Sequence, residues 1–137
     1  MKILSIDYGD KRIGLAISDK NEKLASRFLT LENKSQKKSI IEIKKIIPEE
    51  NIQKIVIGIP VGLKGESAQT QDIKEFSIKM SKNIKIPIIE VNEVFTSKMA
   101  KENLLQAGVK SIDIKKAIDQ EAARIILQDY LDKNQSS

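Results

Sequence analysis

The fold of this chain is decided by Ser5-Ile6-Asp7-Tyr8-Gly9-Asp10-Lys11-Arg12-Ile13-Gly14, a stretch that joins two apolar runs through a short turn. The runs cover residues 2–6 and 13–17, and strands joined so closely pair as antiparallel neighbours. Asp7 stands where the first buried run meets the turn. A carboxylate in that place is strongly disfavoured unless a cation or a metal ion matches its charge. Because Lys11 and Arg12 lie in the same turn, the stretch points to metal-dependent chemistry on a phosphate ester.

The composition excludes several classes of enzyme, because the chain contains no cysteine and no histidine. Disulfides, thiolate zinc sites, cysteine nucleophiles and imidazole bases are all ruled out. Catalysis is left to carboxylates, which select hard cations such as magnesium, manganese or calcium. The chain has 24 Lys and Arg residues against 19 Asp and Glu residues. This excess fits nucleic-acid binding and a solvated lysine-rich surface equally well.

The length of 137 residues predicts a single domain. We place this domain at residues 1–133 and expect residues 134–137 to form a disordered tail. The first residues form a strand-like run instead of a long apolar signal region, and no stretch approaches the roughly 20 apolar residues that cross a bilayer. The expectation is therefore a cytoplasmic protein without a membrane partner.

The order of predicted elements is βββαβαβαα. Strands are predicted at 2–6, 13–17, 24–31, 54–59 and 86–91. Four helices are predicted: from Ser35 or Ser39 to about Pro48, at 67–83, from Thr96 or Ser97 to Gln106, where Gly108 ends the helix, and at 113–133. The run at 54–59 is apolar without alternation, which is typical of a strand buried on both faces. This order predicts an α/β fold with a mixed five-stranded sheet, three antiparallel strands followed by two parallel ones, and helices on both faces.

Two further acids are placed where they can join Asp7. Glu93 follows the fifth predicted strand by two residues, and the carboxyl ends of parallel strands open into one crevice where ligands bind. Asp119 borders an apolar helix stripe beside Ala122 and Ala123, whose small side chains leave room for a metal ion or a phosphate. Taken singly, these acids are explained as well by a turn cap, a solvated loop and a helix surface. Jointly they favour a site for two cations about 3.5–4 Å apart.

The turn after Asp7 also has the composition of a phosphate-binding hairpin. Gly9 permits a positive φ and a close backbone approach, while Lys11 and Arg12 supply positive charge. An ordinary hairpin turn explains the glycine equally well. The segment 58–64 resembles a nucleotide-binding loop only superficially, because Gly-Lys-Ser/Thr does not occur there, and we reject a P-loop.

Four motifs spread over essentially the whole chain resemble those of the YqgF family, also called RuvX, of the RNase H-like superfamily. They are Asp7-Tyr8-Gly9-Asp10-Lys11-Arg12-Ile13-Gly14-Leu15-Ala16, Ile57-Gly58-Ile59-Pro60, Glu93 before Thr96-Ser97, and Asp119 with Ala122-Ala123 and Ile126-Leu127-Gln128-Asp129-Tyr130-Leu131. The resemblance implies an RNase H-like nuclease that matures the 5′ end of pre-16S ribosomal RNA, and members are also described as Holliday junction resolvases. It carries the family's acids over to Asp7, Glu93 and Asp119.

The chain departs from the family pattern at two places. Its third motif reads Asn92-Glu93-Val94, so the acid is kept and the usual arginine is absent. If that arginine grips a phosphate in the family, then either Lys98 or Lys101 replaces it here or the activity is weaker. Lys64 stands where the family often has an acidic residue. The predicted substrate contacts are Gly9, Lys11, Arg12, Lys64 and Lys98.

Several functions remain open at this point. The cofactors would be two Mg²⁺ or Mn²⁺ ions, and the partner structured RNA or branched DNA, since both are phosphodiesters. A junction resolvase needs a symmetric dimer to cut two strands, whereas RNA trimming does not, so a monomer and a homodimer both stand. A non-catalytic RNA-binding module is a further alternative. An ATP-binding domain opens with a similar hairpin but requires a second domain to form its cleft.

Overall fold

The computed structural model of this protein describes residues 1–60, 68–93 and 96–135. The strands are β1 (Lys2–Tyr8), β2 (Arg12–Ser18), β3 (Ala25–Glu32), β4 (Ile52–Pro60) and β5 (Ile88–Glu93), and the helices are α1 (Gln36–Glu49), α2 (Ala68–Asn83), α3 (Thr96–Gln106) and α4 (Ser111–Gln135). The sheet order is β3-β2-β1-β4-β5. The pairs β1–β2 and β2–β3 are antiparallel, while β1–β4 and β4–β5 are parallel. The predicted mixed five-stranded sheet and its element order are confirmed.

All five strands differ from the prediction by one or two residues at one or both ends, and two of these differences involve candidate acids of the site. Asp7 lies within β1 and not after it, because the pairing with β2 continues through Asp7 opposite Gly14 and Tyr8 opposite Ile13. Glu93 is the last residue of β5, where it pairs with Pro60, instead of standing two residues beyond the strand. Both acids are therefore held by the sheet itself, since backbone pairing restricts where a side chain can point.

One face of the sheet is covered by α1 and α2. The buried cluster on this face contains alternate residues of β1 and β4, with apolar residues of both helices: Leu4, Ile6, Tyr8, Ile55, Ile57, Ile59, Ile40, Ile43, Ile46, Ile73, Phe76 and Met80. Tyr8 stacks on Phe76 with ring centroids 4.4 Å apart. Because β1 side chains alternate between faces, Asp7 must point to the opposite face.

The opposite face is covered by α4. Its cluster contains Ile3, Ala16 and Val56 from the sheet, with Ala123, Ile126, Leu127 and Leu131 from the helix. Buried Ser5 donates its hydroxyl to the carbonyl of Ala123 at 2.7 Å, which ties β1 directly to α4. Helices thus lie on both faces of the sheet, as predicted, and β4 is buried on both sides as its lack of alternation indicated.

The turn between β1 and β2 is attached to the start of α1 through Asn33. Its backbone N–H donates to the carbonyl of Lys11 at 2.8 Å, and its side-chain amide donates to the carbonyl of Gly9 at 2.8 Å. Buried Ser39 donates to the Asn33 side-chain oxygen at 2.9 Å. Ser35, one of the two predicted starts of α1, caps the helix by accepting from the backbone of Lys38. Two carbonyls of the turn are therefore held by one asparagine.

The C-terminal part extends slightly beyond its prediction. Helix α4 continues through Gln135, two residues past the predicted end at 133. Gly108, the predicted terminator of α3, follows that helix with φ of +84°, a conformation that favours glycine. The predicted loop at 60–65 lies outside the described residues beyond Pro60. Within the described ranges, no helix combines the length and the apolar character needed to cross a bilayer.

Candidate active site

Asp7 and Asp119 meet where α4 crosses β2. Gly14, the β2 partner of Asp7, lies so close to α4 that a Cβ atom there would collide with the backbone carbonyl of Asp119 and lie 2.8 Å from its Cβ. Only glycine permits this approach of a helix to a strand. We predicted that the alanines after Asp119 would leave the necessary room. The structure shows that Gly14 also provides it, from the strand side.

Glu93 approaches the same place from β5. Its carboxylate lies over Gly58 of β4, because a Cβ atom on Gly58 would collide with Glu93 Oε2 and lie 2.6 Å from Ile126 Cδ1. Oxygen Oε2 is shielded from solvent. The Gly58 position is therefore a gap in the sheet surface that the Glu93 carboxylate fills. A small cavity of about 90 Å³ adjoins Glu93 and is bordered by Met99, Ile125 and Asp129 among others.

Asp7 is repelled by the two other acids at this edge of the sheet. Burial raises the pKa of Asp7 well above its usual value, and the negative charges of Glu93 and Asp119 raise it further. Such a shift means that the ionised carboxylate is costly in the protein alone and is favoured when a cation is added. The convergence of β1, β5 and α4 therefore brings together the acids predicted as one site.

Arg12 contacts one acid of this group directly. Its Nε donates to Asp119 Oδ2 at 2.9 Å, and the two side chains are 48% and 20% exposed, respectively. The sequence predicted Arg12 as a substrate contact and did not predict its pairing with an acid of the site. Lys11 beside it is exposed at the turn.

The other predicted substrate contacts are only partly described. Among the described glycines only Gly108 has a positive φ, so Gly9 does not adopt the positive φ that we expected. The need for glycine at position 9 comes from crowding, since a Cβ atom there would lie 2.5 Å from the carbonyl oxygen of Arg12. Lys64 and the side chain of Lys98 lie outside the described part of the chain. Asn33 was not recognised as a site-forming residue. Gly14 and Gly58 were named only as members of motifs and not for the close approach that an isolated glycine inside a strand signals.

The donor set fits a hard divalent cation by its chemistry. It consists of carboxylate oxygens, which magnesium and manganese prefer, and the raised pKa of Asp7 marks a place where added positive charge is favourable. Among the described residues, no three acids are already arranged at metal-ligand geometry. The Arg12–Asp119 pair accounts for part of this, because it orients one carboxylate oxygen towards a guanidinium. Side-chain rearrangement would have to accompany metal binding.

Comparison with known proteins agrees with the arrangement of these elements. The family model described as "RuvX: Holliday junction resolvase" matches residues 1–133. A protein of Chloroflexus aurantiacus named "Putative pre-16S rRNA nuclease" is 35% identical over 136 residues, covering 98% of this chain and 89% of its own length. One of the same name from Maridesulfovibrio salexigens is 37% identical over 132 residues, covering 96% and 98%.

A solved structure supports the fold. Thermus thermophilus RuvC, in complex with a Holliday junction substrate, superposes with a TM-score of 0.62 at 10% identity, over 98% of this chain and 96% of that one. At this identity the likeness concerns the fold alone, and it confirms the predicted RNase H-like architecture. The family match over residues 1–133 and the relatives above 30% identity lead to one conclusion: the chain belongs to the RuvX family.

Proposed function

We propose that this protein is a metal-dependent nuclease that hydrolyses phosphodiester bonds of structured RNA and takes part in maturing the 5′ end of pre-16S ribosomal RNA. The observation that carries the proposal is the meeting of Asp7, Glu93 and Asp119 at one edge of the sheet, with the pKa of Asp7 raised by burial and by the other two charges. The names of relatives that match nearly the whole chain support the choice of substrate. A pre-rRNA substrate would place the activity in the cytoplasm.

Asp7, Glu93 and Asp119 would hold the ions, two Mg²⁺ or Mn²⁺. When bound, such ions lower the pKa of an attacking water and stabilise the charge that develops at phosphorus. The carboxylates fix the position of the reacting centre, because Asp7 and Glu93 are held by strand pairing and Asp119 by its contact with β2. Arg12 and Lys11 would bind phosphates next to the scissile bond, and Lys64 and Lys98 would extend this contact.

A second substrate has support of its own. The family is described as Holliday junction resolvases, and the RuvC structure that shares this fold contains a junction. Branched DNA is therefore the alternative substrate. Cutting two strands symmetrically would require a homodimer, whereas trimming RNA would be open to a monomer. The solution mass with and without junction DNA separates these cases.

The proposal is tested by cleavage assays with Mg²⁺ or Mn²⁺ on precursor 16S ribosomal RNA and on a four-way DNA junction, run side by side. Wild-type protein should cleave at least one of them, and Asp7→Asn should abolish cleavage while nucleic-acid binding stays equal or becomes tighter. Asp132→Asn is the matched control, because it makes the same change at an exposed position of α4 and should keep wild-type rates. Full turnover by Asp7→Asn would refute the site, and cleavage of the junction alone would decide for branched DNA.

A further inference from the structure

The contact between Arg12 and Asp119 places a positive charge where the proposed function requires a metal ion. Arg12 Nε lies 2.9 Å from Asp119 Oδ2. A carboxylate oxygen that accepts from a guanidinium at this distance is less available as a ligand to a divalent cation. The pair must therefore be exchanged for other partners before Asp119 can bind an ion fully.

The surroundings of Arg12 allow its side chain to move while its backbone stays in place. The backbone is fixed by pairing with Glu32 of β3 and by the turn that Asn33 holds through the carbonyls of Gly9 and Lys11. The side chain is about half exposed. Because water solvates the guanidinium, exchanging the partner of this ion pair costs less than it would for a fully buried pair, although the Asp119 side chain is only 20% exposed. A phosphate group is a suitable new partner, because guanidinium binds phosphate with paired hydrogen bonds.

From these observations we infer that Arg12 is an exchangeable counter-ion: it neutralises Asp119 in the free protein and moves to a substrate phosphate when nucleic acid binds, which frees the carboxylate for the cation. The inference rests on the proposed function and adds a link between its two binding events. Nucleic acid and divalent cation should each strengthen the binding of the other, because coupling between two sites is reciprocal. The free protein would accordingly bind metal ions weakly until a substrate is bound.

The experiment measures Mn²⁺ binding by isothermal titration calorimetry, with no cleavage involved. Arg12→Gln is compared with Lys11→Gln, which removes one positive charge from the same turn and gives the general effect of that charge. Arg12→Gln should bind Mn²⁺ about twofold to fivefold more tightly than Lys11→Gln, the range expected for releasing an exposed ion pair. Thermal melting and circular dichroism verify that both variants are folded.

A second titration measures the coupling itself. A phosphorothioate RNA stem and a phosphorothioate four-way DNA junction serve as slowly cleaved ligands. For the wild type, whichever nucleic acid binds should tighten Mn²⁺ binding by at least about fivefold. Part of that gain comes from phosphate oxygens that ligate the ion directly, so it should fall in Arg12→Gln by about the same twofold to fivefold. In the Asp119→Asn background, Arg12→Gln should have no effect beyond that of Lys11→Gln, because the interacting partner is gone.

The possible outcomes separate this inference from the proposed function. Equal Mn²⁺ affinity in Arg12→Gln and Lys11→Gln, or an unchanged coupling in Arg12→Gln, would overturn the exchange while the nuclease proposal stands. A wild type that binds no Mn²⁺ with or without nucleic acid would overturn both. Tighter Mn²⁺ binding in Arg12→Gln that disappears in the Asp119→Asn background would support the exchange.

Discussion

The Gly58→Ala substitution tests the position of Glu93 with little disturbance elsewhere. The added Cβ atom would collide with Glu93 Oε2 and lie 2.6 Å from Ile126 Cδ1 and 3.1 Å from Glu93 Cδ. The atoms that it meets are the far ends of two flexible side chains and not backbone, so the sheet can keep its pairing while the carboxylate moves aside. The substitution therefore displaces one candidate catalytic group and leaves the fold in place.

Gly58→Ala is expected to lower the cleavage rate strongly and the free energy of unfolding only modestly. Restoring ordinary van der Waals separation requires the Glu93 carboxylate to move on the order of 1 Å, and misplacement of that size costs about 100-fold in rate. Overpacking costs about 1–3 kcal/mol, whereas replacing glycine by alanine in a strand returns about 0.5–1 kcal/mol of conformational entropy. The net loss should stay within about 2.5 kcal/mol, which lowers Tm by no more than about 10 °C in a chain of this size.

The assay is single-turnover cleavage in Mg²⁺, with Tm measured on the same samples. Gly108→Ala is the matched control, because its φ of +84° makes alanine strained there while nothing lies within 4 Å of the added Cβ atom. It should lose comparable stability and keep wild-type rates. Gly14→Ala should differ from both, since its Cβ atom would meet the backbone of Asp119 and must push α4 away. If Gly58→Ala cleaves within threefold of Gly108→Ala, the chemistry does not depend on Glu93 at this place and the reasoning is wrong.

Three further predictions concern single residues. In EDTA, Asp7→Asn should raise the free energy of unfolding by about 1–3 kcal/mol, the cost of an uncompensated buried polar group. Because the folded-state pKa of Asp7 is raised, this gain should be full above the raised pKa and should vanish as pH falls below the usual carboxylate range. Melting of variant and wild type at pH 8 and at pH 3 verifies the sign. Glu121→Gln should lower the free energy of unfolding by about 1–3 kcal/mol, because burial alone would raise the pKa of Glu121 but the hydrogen bonds and charge of Arg124 lower it overall. The stabilisation by the ionised Glu121 is present above the usual carboxylate pKa and is lost as pH falls through the lowered one. Equal melting curves of variant and wild type at pH 7 would contradict this prediction. Asn33→Ala removes the side-chain hydrogen bond to Gly9, so it should speed amide exchange at residues 9–12 and weaken nucleic-acid binding about threefold to tenfold. The control is Asn83→Ala, which loses a hydrogen bond within α2 and should leave both measurements unchanged.

The fold was predictable because its signals are local. Apolar runs bounded by turns marked the strands, helical spacing of Ile40, Ile43 and Ile46 marked α1, and the short turn after Asp7 required antiparallel pairing. Errors were confined to element ends, such as β5, which begins at Ile88 and reaches Glu93 instead of covering 86–91. Strand ends depend on which backbone groups find partners in the neighbouring strand, and that is a property of the assembled sheet.

The acids of the candidate site could also be named from the sequence, but the residues that position them could not. A chain without histidine or cysteine leaves carboxylates for catalysis, and strand ends are where such acids gather. Gly14 and Gly58 stood in recognised motifs, but the contacts that explain them come from Asp119 and Glu93, more than 30 residues away in the chain. Nothing in local composition reports such a contact.

By itself, the amino-acid sequence determined the chemistry that this protein has available and the order in which its strands and helices form, because side-chain type and hydrophobic periodicity are properties of short segments. The tertiary structure alone decided that Arg12 lies against Asp119, that the carboxylate of Glu93 fills the space above Gly58, and that Asp7 is buried within reach of two other negative charges. Those relations arise only when β1, β5 and α4 pack together, since distances between residues far apart in the chain are set by register and packing.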